Sequence, residues 1–260
     1  MRANKLRMLL QAGQPTLSTR VQNHWPSIVE VLGHTGLFDY VEFLAEYAPF
    51  TLHDLDHFCR AAELYNLGTM IKVDAEPRQF LAQRAIGSGF QSVLFADVRS
   101  PEDARQCVRI ARPDTPEDGG LFGVATRRFS YMGYGGDATY VQALRDVVVV
   151  LMIEKQPAVD CLEEILAVPG IDMIQWGGAD YSMSAGKPGQ RRSPEIKAVE
   201  RRVVEACLRA GVPPRIEIAA PEEAAEYLEM GVRHFSLGSD LNILFNWWKS
   251  NGEKLRKMLG

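Results

Sequence analysis

The 260-residue chain has little cysteine and no excess of positive charge. Its four cysteines, Cys59, Cys107, Cys161 and Cys207, lie far apart, each inside a predicted helix. That spacing makes no zinc site and no disulfide framework, and it fits a reducing cytoplasm. Lysine and arginine number 29 against 33 aspartates and glutamates, a net charge of −4 with no basic tract. The electrostatic footprint of a nucleic-acid-binding protein is therefore missing. No apolar run approaches the ~20 residues that a membrane-spanning helix needs. The opening stretch, MRANKLRMLLQAGQ, has too short an apolar segment for a signal peptide, so none is expected. The five histidines show no ligand spacing; His53 and His57 are four apart, but no H-E-x-x-H is present. No G-x-G-x-x-G turn follows the first strand-like segment, which weakens the case for an open, doubly wound sheet.

What the chain does have is regular alternation. Hydrophobic residues make up 46% and charged residues 24%, as in an ordinary soluble globular protein. Strands are predicted at 16–21, 40–45, 69–73, 91–96, 147–153, 171–176, 215–219 and 234–237. Helices are predicted at 25–33, 52–65, 77–86, 101–111, 158–168, 194–210, 221–230 and 241–258. Eight strand–helix units in one chain of this length are the arithmetic of an α/β (β/α)₈ TIM barrel with an extra C-terminal helix. No linker or repeat interrupts it, so residues 1–260 read as a single domain. Residues 112–136 break the rhythm with Gly, Pro and aromatics, and are read as a long loop around a missing or displaced helix. Arg127 and Arg128 in that loop could receive an anionic substrate, or could simply be solvated.

The stretch 147–180 carries the chemistry. Residues 147–153 form an unbroken, β-branched apolar run that stops at Glu154; residues 171–176 form a second that stops at Gly177-Gly178-Ala179-Asp180. Parallel strands joined by a helix put both carboxylates on one rim, where barrel enzymes keep their active sites. Two nearby carboxylates repel unless something positive lies between them, and a divalent cation with oxygen ligands is the simplest candidate. Each carboxylate alone also suits a helix cap. Glu42 and Glu217 fall inside strands, where a charge usually faces another charge. Arg20, on the same rim, could bind a second substrate carboxylate or play a surface role.

The segment IEKQPAVDCLEEILAVPGIDMIQWGGADYSMSAG resembles the I-E-T-x-x-A…I-x-x-V-x-G-I-D…G-x-x-D-L-S-x-x-x-G pattern of the metal-dependent 4-hydroxy-2-oxo-heptanedioate aldolase and citrate lyase β-subunit family, the class II pyruvate aldolases. VEFLAEYAP more weakly parallels that family's D-x-E-H-A-P. The resemblance implies that Glu154 and Asp180 bind a divalent metal, Mg²⁺ or Mn²⁺, with Co²⁺ or Zn²⁺ also possible. It implies that the backbone amides of Gly177, Gly178, Ala179 and Asp180 hold the carboxylate of pyruvate. It implies a homo-oligomer, a hexamer built as a trimer of dimers by exchange of C-terminal helices. Leu241, Leu244, Phe245, Trp247 and Trp248 in that helix are more apolar surface than an exposed terminal helix normally carries.

The departures from the pattern fall on the acid/base set. Tyr47 stands where the family has His, Leu44 where it has Asp, and Lys72 where it has Arg at the end of the third strand. A phenol ordinarily ionises near ~10 and an imidazole near ~6.5. Tyr47 is thus a poor base near neutrality, though it can donate a hydrogen bond or act as an acid. Lys72 keeps positive charge but loses the planar fork of Arg; a Schiff base at Lys72 is a minor alternative. Glu46 is read as partner to a metal-bound water and the proton carrier. The resulting expectation is a metal-dependent carbon–carbon lyase acting on a small hydroxy-2-oxo acid through an enolate. Its rivals are a decarboxylase or acyl-CoA lyase on the same site, and a non-catalytic oxo-acid-binding protein.

Overall fold

The structure, a computed structural model, describes residues 2–126 and 136–260. Eight parallel strands close into a barrel in sequence order. They are β1 Thr16–Val21, β2 Tyr40–Leu44, β3 Gly68–Val73, β4 Ser92–Phe95, β5 Val148–Ile153, β6 Met173–Trp176, β7 Pro214–Ile218 and β8 His234–Ser239. Around them run α1 Lys5–Gln11, α2 Pro26–Thr35, α3 Leu52–Leu64, α4 Arg78–Ser88, α5 Pro101–Ala111 and α6 Ala138–Arg145. The second half adds α7 Gln156–Asp160, α8 Leu162–Leu166, α9 Gly178–Ser184, α10 Pro194–Ala210, α11 Ala224–Met230 and α12 Asp240–Leu259. The expected (β/α)₈ TIM barrel with a further C-terminal helix is the observed fold.

Strand periodicity explains the two cores. On β5, Val148, Val150 and Met152 point into the barrel with Tyr40, Met70, Leu94 and Met173. Val149, Leu151 and Ile153 point outward and pack under the helices. Both faces are buried, so the run carries no polar alternation. Inside the barrel, Arg215 is fully buried and pairs with the buried Glu42. Its Nε donates to the Tyr40 hydroxyl at 2.7 Å, and Nη2 donates to Ser18 Oγ at 3.1 Å. The strand-embedded Glu42 therefore faces a charge within the barrel, as its position suggested. Breaking such a buried pair costs about 3–5 kcal/mol.

Four features differ from the sequence reading. Residues 5–11 form α1, whose Leu6 joins the inward cluster; α1 had no place among the predicted elements. Its Asn4 cap accepts a hydrogen bond from the Arg7 amide at 3.2 Å. Between β4 and β5 lie two helices, α5 and α6, where one was expected; Asp137 caps α6 by accepting from the Tyr140 amide at 2.9 Å. The predicted helix 158–168 is two short helices that meet at Cys161, which therefore lies at a junction and not inside a helix. Residues 177–180 are not a free turn: Gly177 caps α9, which starts at Gly178. Arg127 and Arg128 lie outside the described residues.

None of the twenty residues of α12 is buried; Trp247 is 62% and Trp248 61% exposed. The helix touches its own barrel only around β1 and β8 among the stronger element contacts of the described residues. Among the described residues no helix is long and apolar enough to cross a membrane.

Candidate active site

A cavity of about 620 Å³ opens at the C-terminal rim of the barrel. Lys72, Tyr47, Arg20, Gly178, Ala179 and Asp180 all line it. Glu154 lies just behind Gly177, 2% exposed, and Glu46 sits beside Lys72. The candidate metal, substrate and acid/base residues thus gather at one end of the fold, whereas Glu42 lies inside the barrel. The cause is topological. Each follows or ends a parallel strand, and parallel strands present their C-terminal ends together.

Two clusters divide the site. The first is Glu46, Tyr47 and Lys72. The Lys72 ammonium forms an ion pair with Glu46 Oε2 and donates to the Tyr47 hydroxyl at 2.7 Å. It also sits 4.6 Å from the centre of the Tyr47 ring, within cation–π range. Burial works to depress the pKa of Lys72, but the bonds to Glu46 and Tyr47 outweigh it and hold the amine above its ordinary value. A permanently charged lysine is a poor Schiff-base nucleophile, so that alternative loses its physical basis. The Tyr47 ring is half exposed while its hydroxyl is tucked against Lys72. Burial pushes the phenol up to about 12, despite the opposing pull of Lys72. Tyr47 therefore stays protonated at neutral pH.

The second cluster is Glu154, Asp180, Lys155 and Asp97. Sequence reasoning missed the last two. Lys155 Nζ lies 2.7 Å from Asp97 Oδ1 and 3.1 Å from Asp180 Oδ1. The positive charge beside the carboxylates is thus, in part, the chain's own ammonium. The one available signal was a lysine standing where the family pattern has threonine, directly after Glu154. Asp97 adopts a left-handed backbone with φ 58°, uncommon for a non-glycine residue. That conformation aims its amide at Glu154 Oε1, which accepts the bond at 2.8 Å. Glu154 Oε2 is buried and has no hydrogen-bond partner among the described residues. Burial pushes the Glu154 carboxyl up to about 7; the neighbouring Asp180 adds to this, while the Asp97 amide, Lys72 and Lys155 oppose it.

The space around Oε2 depends on glycine. A Cβ on Gly177 would lie 2.6 Å from Glu154 Cβ and 2.7 Å from Oε2. The Gly177 amide is already used, donating to Ile153 O at 3.0 Å. It drops out of the expected carboxylate cradle. The amides of Gly178, Ala179 and Asp180 form the first turn of α9 and have no acceptor within the helix. Arg20 is also not free: it pairs with Glu217 and donates to Gly238 O at 3.3 Å. Glu217 in turn accepts from Gln175 Nε2 at 2.6 Å, so this strand carboxylate is held in place by its partners.

The donor set suits a hard divalent ion. Glu154 has Oε1 fixed by the Asp97 amide and, among the described residues, Oε2 without a hydrogen-bond partner, while Asp180 Oδ1 is held by Lys155. Carboxylate oxygens are the ligands that Mg²⁺ and Mn²⁺ prefer. Among the described residues no group of three or more His, Cys, Asp or Glu side chains gathers to hold a metal.

The sequence profile of the HpcH/HpaI aldolase/citrate lyase family matches residues 21–246. The chain belongs to this family. It is 30% identical over 240 residues, covering 92% of this chain and 91% of the other, to the 2-dehydro-3,6-dideoxy-6-sulfogluconate aldolase of Pseudomonas putida. Its fold matches the HpcH/HpaI aldolase from Desulfitobacterium hafniense DCB-2 with a TM-score of 0.88, at 24% identity over 98% of this chain and 97% of that one. More distantly, at TM-score 0.57 and 12% identity over 90% of this chain and 88% of the other, it matches protein CitE from Mycobacterium tuberculosis in complex with magnesium and acetate. The family's members with known reactions include aldolases, and this chain is an enzyme of the lyase class.

Proposed function

We propose that the enzyme is a divalent-metal-dependent, pyruvate-type aldolase that makes or cleaves a small hydroxy-2-oxo acid in the rim cavity. One observation carries this reading: the buried Glu154 Oε2, without a hydrogen-bond partner among the described residues, lies behind Gly177, and Gly177, Asp180 and Lys72 line one cavity. Glu154 and Asp180 would hold Mg²⁺ or Mn²⁺. The ion supplies Lewis-acid stabilisation of negative charge developing on the substrate's oxo group.

The chain's own groups supply the rest. The amides of Gly178, Ala179 and Asp180, without an acceptor among the described residues, suit the carboxylate of pyruvate, since a helix's first turn presents unsatisfied donors. Lys72 stays charged and adds a fixed positive field where the enolate oxygen forms. Glu46 is the carboxylate placed to accept a proton, and its ion pair with Lys72 holds it beside the site. Tyr47, protonated at neutral pH, is a donor for the aldehyde oxygen and not a base. The exposed apolar face of α12 supports a homo-oligomer in which this helix packs on a neighbouring subunit.

The direct test is deuterium uptake at the pyruvate methyl group, followed by NMR on metal-stripped and Mn²⁺- or Mg²⁺-loaded protein. The expected result is metal-dependent exchange, together with pyruvate release from hydroxy-2-oxo acids. Absence of exchange under both conditions overturns the aldolase reading and leaves a binding protein.

A further inference from the structure

The counter-charge among the carboxylates comes from the residue directly after Glu154. Lys155 caps α7, and its carbonyl accepts from the amides of Ala158 at 3.0 Å and Val159 at 3.2 Å, so its backbone is fixed. Its side chain is 10% exposed, and its ammonium has two carboxylate partners among the described residues. Asp97 Oδ1 lies at 2.7 Å and Asp180 Oδ1 at 3.1 Å. Water therefore screens this charge only in part.

Asp97 is tied to the cluster twice. Its left-handed backbone sends its amide to Glu154 Oε1 at 2.8 Å, and its carboxylate holds Lys155. A non-glycine residue keeps such a backbone only where its surroundings hold it. One ion pair thus links both candidate metal ligands. Asp97 holds Glu154 through its amide, and through its carboxylate it holds the lysine that holds Asp180. The ammonium has two opposite consequences. With no metal bound, it neutralises carboxylates that otherwise repel one another. Toward a divalent ion it is a like charge, and it already engages Asp180 Oδ1. The affinity of a carboxylate site for a hard cation follows the charge of its ligands, so the ammonium lowers it.

We infer that Lys155 is a built-in counter-cation: it neutralises Asp180 when no metal is bound and, shared with Asp97, keeps the affinity for a divalent ion below what Glu154 and Asp180 alone would give. This inference rests on the metal-dependent reading above. Lys155 and Asp97 are positioning residues here; neither is assigned to the substrate.

The experiment measures Mn²⁺ affinity by calorimetry on the metal-stripped, full-length protein, with thermal unfolding recorded with and without Mn²⁺. K155M keeps an unbranched side chain and removes the charge. It should bind Mn²⁺ more tightly by about 10-fold, the order that one nearby, partly screened like charge exerts. Its unfolding temperature without metal should fall, and the rise that Mn²⁺ brings should grow. K155Q, neutral but able to donate to both carboxylates, should also tighten binding. K155R keeps the charge and should stay within about 3-fold of wild type. D97N retains a residue that tolerates the left-handed backbone, yet leaves the ammonium to Asp180 alone and should weaken binding. The sign separates this role from a scaffolding one, since removing a mere brace loosens the site and weakens binding. Unchanged or weaker Mn²⁺ binding by folded K155M, or by K155Q if K155M does not fold, overturns the inference, as does tighter binding by D97N. Wild type that takes up Mn²⁺ with the lysine variants unchanged removes only the role of Lys155. Wild type that takes up none removes the metal site and this inference with it.

Discussion

Replacing Tyr47 with Phe asks whether this residue has inherited the work of the family's imidazole. Its hydroxyl is pushed up to about 12, chiefly by burial. At pH 7 a group with that pKa is deprotonated in about one molecule in 10⁵, which corresponds to roughly 7 kcal/mol at 1.36 kcal/mol per unit. A base under that handicap adds nothing useful, since general bases work best near the ambient pH and contribute ~10²–10⁴-fold. The phenol does accept a bond from Lys72 at 2.7 Å, and losing it loosens the ammonium. Lys72 keeps its ion pair with Glu46, so the charge stays in place. Tyr47→Phe should therefore slow deuterium exchange at the pyruvate methyl by less than about 10-fold, while slowing aldol addition more strongly through loss of the donor to the aldehyde oxygen. The assay is NMR exchange with pyruvate alone beside coupled kinetics with aldehyde. An exchange rate that falls by about 100-fold or more, into the range of a lost general base, would refute the reasoning and return Tyr47 to proton abstraction.

Glu154→Gln and Asp180→Asn should each weaken Mn²⁺ binding by calorimetry at least about 10-fold with the thermal unfolding curve intact; unchanged affinity in either sinks the metal site. His234 is lowered to about 4, first by burial and then by Arg215, so between pH ~6.5 and ~4 the unfolded chain binds a proton that the folded chain refuses. Stability should fall by up to about 3 kcal/mol as pH drops through that window, and His234→Gln should lose that component; a wild-type-minus-variant difference that is flat between pH 7 and pH 4.5 in urea titrations contradicts the assignment. Deleting residues 241–260 should give smaller or insoluble species, and light scattering that finds the full-length chain monomeric rules out α12 as a subunit contact.

The strands and most helices were legible because their causes are local. Residues 147–153 declare a doubly buried strand by unbroken β-branched content, and eight such runs with helices between them have few ways to close. The same rule put Glu154 and Asp180 on one rim, since both follow parallel strands. Helix α1 stayed hidden because a short segment at a chain end shows its role only once a barrel floor exists for Leu6 to cover. Helix α6 was lost beside a Gly-rich stretch that reads as loop. The acid/base and charge partnerships were out of reach for another reason. Arg20 and Glu217 are 197 residues apart, Arg215 and Glu42 173, and Lys72 and Tyr47 25. No spacing rule pairs side chains over such separations. Sequence fixes which groups point into the barrel, through a period of two. Which of them touch is set by strand register and barrel closure. Lys155 joins Asp97 to Asp180 only because three different strands end within reach of one ammonium.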